Sequence, residues 1–396
     1  MIELIISLVD IQYIVPEVYI TELYSNTFNN QKVLSLNECI QLALNNTKFS
    51  LLAEPDVYTI LIQNFKNLID NIDIFGYTED NPTVKSLLDN NWVILDTNKY
   101  HTILVYRENG EYQYLKLLSD LNSSMERTGR NGLTKSIFAP QILKFNLLNG
   151  YPLLTTKKMF FRGIVEELLF FIRGDTNSKI LEFNNINIWK QNTSRHFLDS
   201  LNMHNRKEGM MGPMYGFQWR HFNGTYDEIT GKGIGGVDQL QNLITSIKTD
   251  PHSRRHLLTD YNPEMANQGV LYPCHSISIQ FYVQDEFLDL ICFNRSSDVF
   301  LGLSFNIAST SLLLIIIAKI TGLVPRYVNI SLGDAHIYEQ HITHIEKQTN
   351  RRPFEFPKIE IKKEITTLND SENLSFEDFE LKNYRHYPAI IANMIP

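Results

Sequence analysis

Apolar and polar residues alternate along this chain with two different periods, and the changes of period mark out its elements. Over residues 277–283 and 287–293 apolar side chains recur at every second position, which predicts two adjacent β-strands. Residues 307–320 are apolar nearly all round, which predicts a buried helix, with Asn306 as its N-terminal neighbour. Spacings of three and four predict helices at 112–121, 160–174 and 237–249, the last ended by Asp250-Pro251. Residues 137–145 and 359–365 read as strands, and 174–177, GDTN, as a turn that caps the next helix. Stretches 126–132, ERTGRNG, and 193–211 read as a mobile loop and an exposed irregular insertion. Residues 1–108 stand apart as a small α/β segment. Within it 4–15, 18–23, 92–95 and 102–106 are strand-like, and 57–72 has helical spacing. The polar turn at 108–110 sets the boundary, leaving 109–396 as a second, larger domain.

Composition narrows the function classes. The 396 residues are 43% hydrophobic with net charge −8, which speaks against nucleic acid or an anionic membrane as the main partner. The longest unbroken apolar run, 312–318 and its flanks, is too short to predict a bilayer span. The N-terminus carries Glu3 and Asp10 with no basic lead, so no secretory leader is expected. The three cysteines, Cys39, Cys274 and Cys292, have neither metal spacing nor a disulfide pattern, and a reducing, cytoplasmic setting follows.

Candidate chemistry gathers in 272–306, YPCHSISIQFYVQDEFLDLICFNRSSDVFLGLSFN. Cys274 precedes one strand, and Arg295, Ser296 and Asp298 end the next, so reactive groups sit at loop ends on a rigid sheet. Glu167 falls in an apolar helical stretch; pointing to water with Glu166 is the bland reading, lining a pocket and handling protons the sharper one. His336 and Tyr338, two apart in GDAHIY, share one face of a strand. Arg254 and Arg255 follow a helix, where such pairs ordinarily meet solvent or the helix end. Singly, each has a structural explanation as good as a functional one.

Together, ERTG, PLLTTKK, EELLFFIRGDTN, IWKQN, GPMYGFQWRHF, SRR, PCH, NRSSDVFLGLSFNIAS, GDAHIY and RPFEFPK resemble thymidylate synthase over about residues 111–396. The resemblance implies an α+β fold: a large mixed sheet packed with helices, pairing through the sheet into a dimer, with the small N-terminal α/β segment appended. It implies reductive methylation of dUMP by 5,10-methylenetetrahydrofolate as one-carbon and hydride donor, yielding dTMP and dihydrofolate, with no metal and no nicotinamide. Cys274 would be the nucleophile, Arg295 the cation that lowers its pKa, and Asn306 the donor to the pyrimidine edge. Glu167, Tyr215 and His275 would handle protons and water. Arg127, Arg295 and Ser296 would hold the phosphate, with Arg254 and Arg255 lent across a homodimer interface. His336 and Tyr338 would bind the sugar. Asp298 would meet the pterin in a slot shaped by Trp189, Leu271, Leu301, Gly302 and Phe305, and Lys157 the folate glutamate tail. Tyr272, where a small residue or proline commonly precedes PC, would tighten the slot beside Cys274. Residues 1–108 faintly resemble a truncated dihydrofolate reductase without its active-site strings, or serve as a docking domain. The rivals are a pyrimidine hydroxymethylase, in which water replaces hydride, and an inactive nucleotide-binding relative.

Overall fold

The computed structural model describes residues 110–393 except 130 and 352, together with the backbone of seven strands between residues 2 and 107. The chain divides into two compact units, Met1–Asn109 and Gly110–Pro396. In the first, β1 (Ile2–Ile5), β2 (Val18–Ile20), β3 (Lys32–Val33), β4 (Phe49–Leu52), β5 (Ile72–Gly76), β6 (Trp92–Thr97) and β7 (Ile103–Arg107) make one sheet ordered β3-β2-β1-β4-β5-β7-β6. The first five are mutually parallel, and β6 and β7 close the sheet as an antiparallel pair. The strand expected over 4–15 ends at Ile5 in β1, and its remainder lies outside the described residues. So does the helix expected over 57–72, apart from Ile72 in β5.

The second unit is built on a mixed seven-stranded sheet. It opens with helix α1 (Glu111–Asn122), then the hairpin of β8 (Glu126–Gly129) and β9 (Gly132–Phe138), and β10 (Leu143–Asn146). Helices α2 (Phe161–Ile172), α3 (Lys179–Phe183), α4 (Arg195–Ser200) and α5 (Gly216–His221) follow. A two-stranded ribbon of β11 (Thr225–Asp227) and β12 (Lys232–Ile234) leads to α6 (Gln239–Thr249). The sheet resumes with β13 (Leu257–Leu258), β14 (Ser278–Gln284) and β15 (Phe287–Asp298), crosses over through α7 (Gly302–Thr321) and returns as β16 (Val324–Tyr338). Its order is β13-β14-β15-β16-β9-β8, with β10 also on β16. Only the β15–β16 pair is parallel, and α7 supplies the long connection that a parallel pair needs.

Helix α7 lies against β15, β16 and α2, which accounts for its lack of a polar face. At 20 residues it is long and apolar enough to cross a bilayer, contrary to the expectation from the shorter run, and 72% of that stretch is buried inside the fold. On the other face of the sheet no described residue of the second unit covers the apolar side chains of β13, β14 and β15. Leu257, Tyr282, Ile291 and Phe293 are exposed there, and the register sets Leu257 beside Gln280 and Gln280 beside Ile291.

Three further expectations are corrected. The ERTGRNG stretch is a β-hairpin apart from Arg130, which is not described, because β9 pairs it to the sheet edge. Residues 137–145 are two strands, broken where Ala139 adopts φ 51°. The 193–211 insertion is ordered by α4 and by buried Arg206, whose guanidinium meets Glu228 at 2.6 Å and the Gln268 carbonyl at 2.5 Å.

Candidate active site

The segment before β14 is fastened along the end of β15. The Ser296 N–H donates to the Cys274 carbonyl at 3.2 Å, Arg295 Nε to the Pro273 carbonyl at 3.0 Å, and the Ile277 N–H to the Phe293 carbonyl at 3.0 Å. Ser276 takes φ 56°, a left-handed turn that its N–H stabilises by donating to Asn294 Oδ1 at 2.9 Å. Cys274 is thereby held partly buried, with its Sγ 3.4 Å from the Tyr215 hydroxyl.

Tyr215 itself sits at φ 45° on the first edge of α5. The next residue must be glycine: a Cβ at Gly216 would stand 2.6 Å from the Phe171 carbonyl oxygen, so α5 approaches α2 only without one. The Tyr215 ring stacks on His275 at 4.3 Å between centroids and packs against Trp189 at 5.9 Å. Trp189 Nε1 donates to Glu167 Oε1 at 2.7 Å. Cys274, Tyr215, Trp189 and Glu167 thus form one continuous wall. Neither Glu166 nor Glu167 simply faces water: Glu166 is buried and Glu167 partly so.

Burial dominates the electrostatics of this wall. It pushes the Glu167 carboxyl up to about 7, against the Trp189 hydrogen bond that favours the anion. It pushes His275 down to about 4, so the imidazole is neutral at physiological pH. It also raises the Cys274 thiol, with Asp260 adding to the rise, while the Tyr215 hydroxyl and Arg295 pull the other way. The expectation that Arg295 leaves the resting thiol with a lowered pKa is therefore corrected: loss of water around the sulfur outweighs the guanidinium. Arg295 lies with its carbon Cζ 5.1 Å from the Tyr272 ring centroid and its side chain largely open to solvent.

Asn306 is the fifth residue of α7, not its N-terminal neighbour. The helix starts earlier, at Gly302, after a turn in which Asp298 Oδ1 accepts the N–H groups of Phe300 at 3.0 Å and Leu301 at 3.2 Å. The Asn306 amide is half-buried, and no side-chain hydrogen bond ties it to another described residue. Asp298 Oδ2 likewise accepts no hydrogen bond among the described residues, and burial raises its carboxyl while the Leu301 N–H, His341, His336 and Lys157 act against the rise. Leu271, Leu301 and Phe305 lie partly buried at the margin of the core, beside Gly302, the first residue of α7. Lys157 does not fit a role at a folate tail. Its amine is buried, donates to the Phe300 carbonyl and lies 4.2 Å from that ring's centroid, and burial lowers it to about 7.

On β16, His336 and Tyr338 face the same side with rings edge-on at 5.4 Å, and His336 is the register partner of Asp298. Asp334, overlooked within the GDAHIY string, joins two of the expected binding groups: its Oδ1 lies 3.0 Å from His336 Nδ1 and its Oδ2 accepts from Arg127 at 3.2 Å. Arg127 is otherwise exposed on β8. Arg254 and Arg255 are exposed in the turn between α6 and β13, and no side-chain hydrogen bond or ion pair among the described residues engages either guanidinium.

A family model described as thymidylate synthase matches residues 112–396, the whole length over which this wall and its sheet are built. The chain belongs to the thymidylate synthase family. It is 43% identical to thymidylate synthase of Homo sapiens over 288 residues, 72% of this chain and 90% of that protein. It is 42% identical to thymidylate synthase 1/2 of Encephalitozoon cuniculi over 290 residues, 72% of this chain and 97% of that protein. It is 42% identical to bifunctional dihydrofolate reductase-thymidylate synthase of Plasmodium chabaudi over 301 residues, 75% of this chain. The chain spans about half the length of such bifunctional relatives, 50% in that case. Within a thymidylate synthase domain, one further buried carboxyl escaped sequence reading: Asp260, in LLTDYNP, with no motif to mark it.

Proposed function

We propose that this protein methylates dUMP to dTMP with 5,10-methylenetetrahydrofolate as co-substrate, through covalent addition of Cys274 to the pyrimidine. The observation that carries the reading is the wall itself, in which a free thiol and a carboxyl poised near neutrality are joined through Tyr215 and Trp189. Thiolate addition at carbon 6 of the uracil makes carbon 5 nucleophilic and sends negative charge to the oxygen on carbon 4. The unpartnered Asn306 amide suits that oxygen as a fixed donor. Glu167, ionising close to pH 7, can give and take a proton at the pyrimidine and folate edges. Neutral His275, stacked on Tyr215, can order the water that accepts the carbon 5 proton.

The folate supplies the one-carbon unit and the hydride. Asp298 Oδ2 and the half-buried Leu271, Leu301 and Phe305 suit a flat ring with a polar edge, and Trp189 suits its apolar slot. Arg127, Arg295 and Ser296 suit the phosphate, and His336 and Tyr338 the sugar hydroxyl. Arg254 and Arg255, whose side chains meet no partner among the described residues, suit the phosphate of a partner's site in a homodimer, and the exposed Leu257, Tyr282, Ile291 and Phe293 suit its surface. A cytoplasmic, reducing setting agrees with the need to keep Cys274 as a free thiol.

Mass spectrometry of the protein incubated with 5-fluoro-dUMP and the folate tests the reading. A nucleotide–folate adduct is expected on the Cys274 peptide. An adduct on another residue, or none, would overturn the mechanism. Dihydrofolate formation from dUMP separates methylation from hydroxymethylation.

A further inference from the structure

Tyr272, the residue expected to tighten the slot beside Cys274, has its ring beside the cation of the site. The guanidinium carbon of Arg295 lies 5.1 Å from the ring centroid, within the distance at which an aromatic ring attracts a cation. The Tyr272 hydroxyl meets the Tyr261 hydroxyl at 3.0 Å, and the two rings are tilted by 55° with centroids 6.1 Å apart. Tyr261 stands on the turn after β13, and that turn is anchored. Gln239 of α6 donates from Nε2 to the Thr259 carbonyl at 2.7 Å and accepts the Thr259 N–H at Oε1 at 3.2 Å. The Thr259 hydroxyl donates to the Ile277 carbonyl and accepts the Tyr261 N–H at 3.2 Å. A chain of contacts thus runs from α6 through Thr259, Tyr261 and Tyr272 to Arg295.

The Arg295 head is engaged at one nitrogen. Its Nε donates to the Pro273 carbonyl at 3.0 Å, whereas neither Nη1 nor Nη2 has a hydrogen bond among the described residues. The forked edge, which suits a phosphate, is therefore left open. An exposed arginine ordinarily samples many rotamers, and ordering it opposes binding. A carbonyl at Nε and a tethered ring beside the head restrict that sampling beforehand.

We propose that Tyr272 and Tyr261 are positioning residues for the nucleotide phosphate: the hydrogen-bonded pair holds the Arg295 fork in place before dUMP arrives. The pair then adds affinity for the phosphate and none for the pyrimidine. The inference rests on dUMP as the nucleotide and on Arg295 as a ligand of its phosphate.

The test compares full-length wild type with Tyr272→Leu, Tyr272→Phe, Tyr261→Phe and the double phenylalanine variant. Calorimetry reads the affinity for dUMP; displacement of dUMP reads that for inorganic phosphate and for deoxyuridine, which lacks the phosphate. Tyr272→Leu removes the ring and is expected to weaken dUMP and inorganic phosphate alike by about fivefold, the range of a cation on an exposed ring, with deoxyuridine unchanged. Each phenylalanine variant loses only the shared hydroxyl bond and is expected to weaken dUMP by about twofold. The double variant is expected to lose no more than either single one, because both remove the same bond. Unchanged dUMP affinity in Tyr272→Leu overturns the proposal. So does an equal change for deoxyuridine, which would place the ring's effect at the pyrimidine, and so do losses that add in the double variant. If Tyr272→Leu does not fold, the phenylalanine variants decide by the same comparison. Wild type that fails to bind dUMP overturns the functional reading and this inference with it; variants that match a binding wild type overturn the inference alone.

Discussion

At the scale of single residues, Glu167 and His275 are displaced from their ordinary titration ranges in opposite directions by the same cause, loss of water. Their effects on stability therefore oppose each other. Below pH 4.5 Glu167 is protonated folded or unfolded; from 4.5 to about 7 only the unfolded chain releases the proton, so stability falls as pH rises through that window. Above pH 6.5 His275 is neutral in both states; from 6.5 down to about 4 only the unfolded chain gains the proton, so stability falls as pH drops. Each shift corresponds to about 3 kcal/mol across its window. The Glu167→Gln variant removes one arm. Its stability in urea titrations is expected to fall by about 3 kcal/mol more than that of wild type between pH 7 and pH 4.5. Parallel curves would show that Glu167 is not held protonated by the fold. The same variant is expected to lose about 100-fold or more in kcat, the range of a missing proton-transfer group.

At the scale of elements, the period of the apolar positions announced β14, β15 and α7 because each has one environment along its length. It missed the places where a local bond sets the boundary. Asp298 holds the turn that leads into α7 by accepting the Phe300 and Leu301 N–H groups, and the helix begins at Gly302, which puts Asn306 at its fifth position. Ala139 breaks a strand that its neighbours would have continued. Arg206 orders an insertion whose composition is that of a loop. The site residues were named because their strings are distinctive, whereas Lys157 and Asp260 required knowledge of depth, which no short string carries. The parallel pair β15–β16 has a contact of the same hidden kind: a Cβ on Gly333 would stand 2.6 Å from the Arg295 carbonyl oxygen. Gly333→Ala is expected to cost about 1–3 kcal/mol by forcing the strands apart. Because Arg295 and Ser296 lie at that point, dUMP affinity should fall with the melting temperature. A variant that melts with wild type and binds dUMP unchanged would show that the strands can give way there without moving the site.

At the scale of the whole molecule, the two faces of the large sheet are unequal. One is sealed by α7, and the other shows Leu257, Tyr282, Ile291 and Phe293 to solvent within a single chain. Strand β13 carries Leu257 on that face, and Arg254 and Arg255 precede it, separated from it by His256. A second copy packed on the face would bury the apolar row and bring guanidinium groups that have no partner among the described residues up to its neighbour. Sequence alone could imply this only through resemblance, because alternation predicts one packed and one solvated face, and scattered apolar residues on the second face do not say whether a partner covers them. Two inactive variants decide the matter. Arg254→Ala/Arg255→Ala lacks the cations but keeps Cys274; Cys274→Ser lacks the thiol but keeps the cations. If the arginines serve the partner's site, mixing and re-equilibrating the two is expected to restore turnover, since some heterodimers then hold one site with both thiol and arginines. Arginines that served their own chain's site would leave every site in the mixture defective. Phe293→Asp should prevent the restoration and yield monomers in sedimentation; a dimer that persists in that variant would place the interface elsewhere.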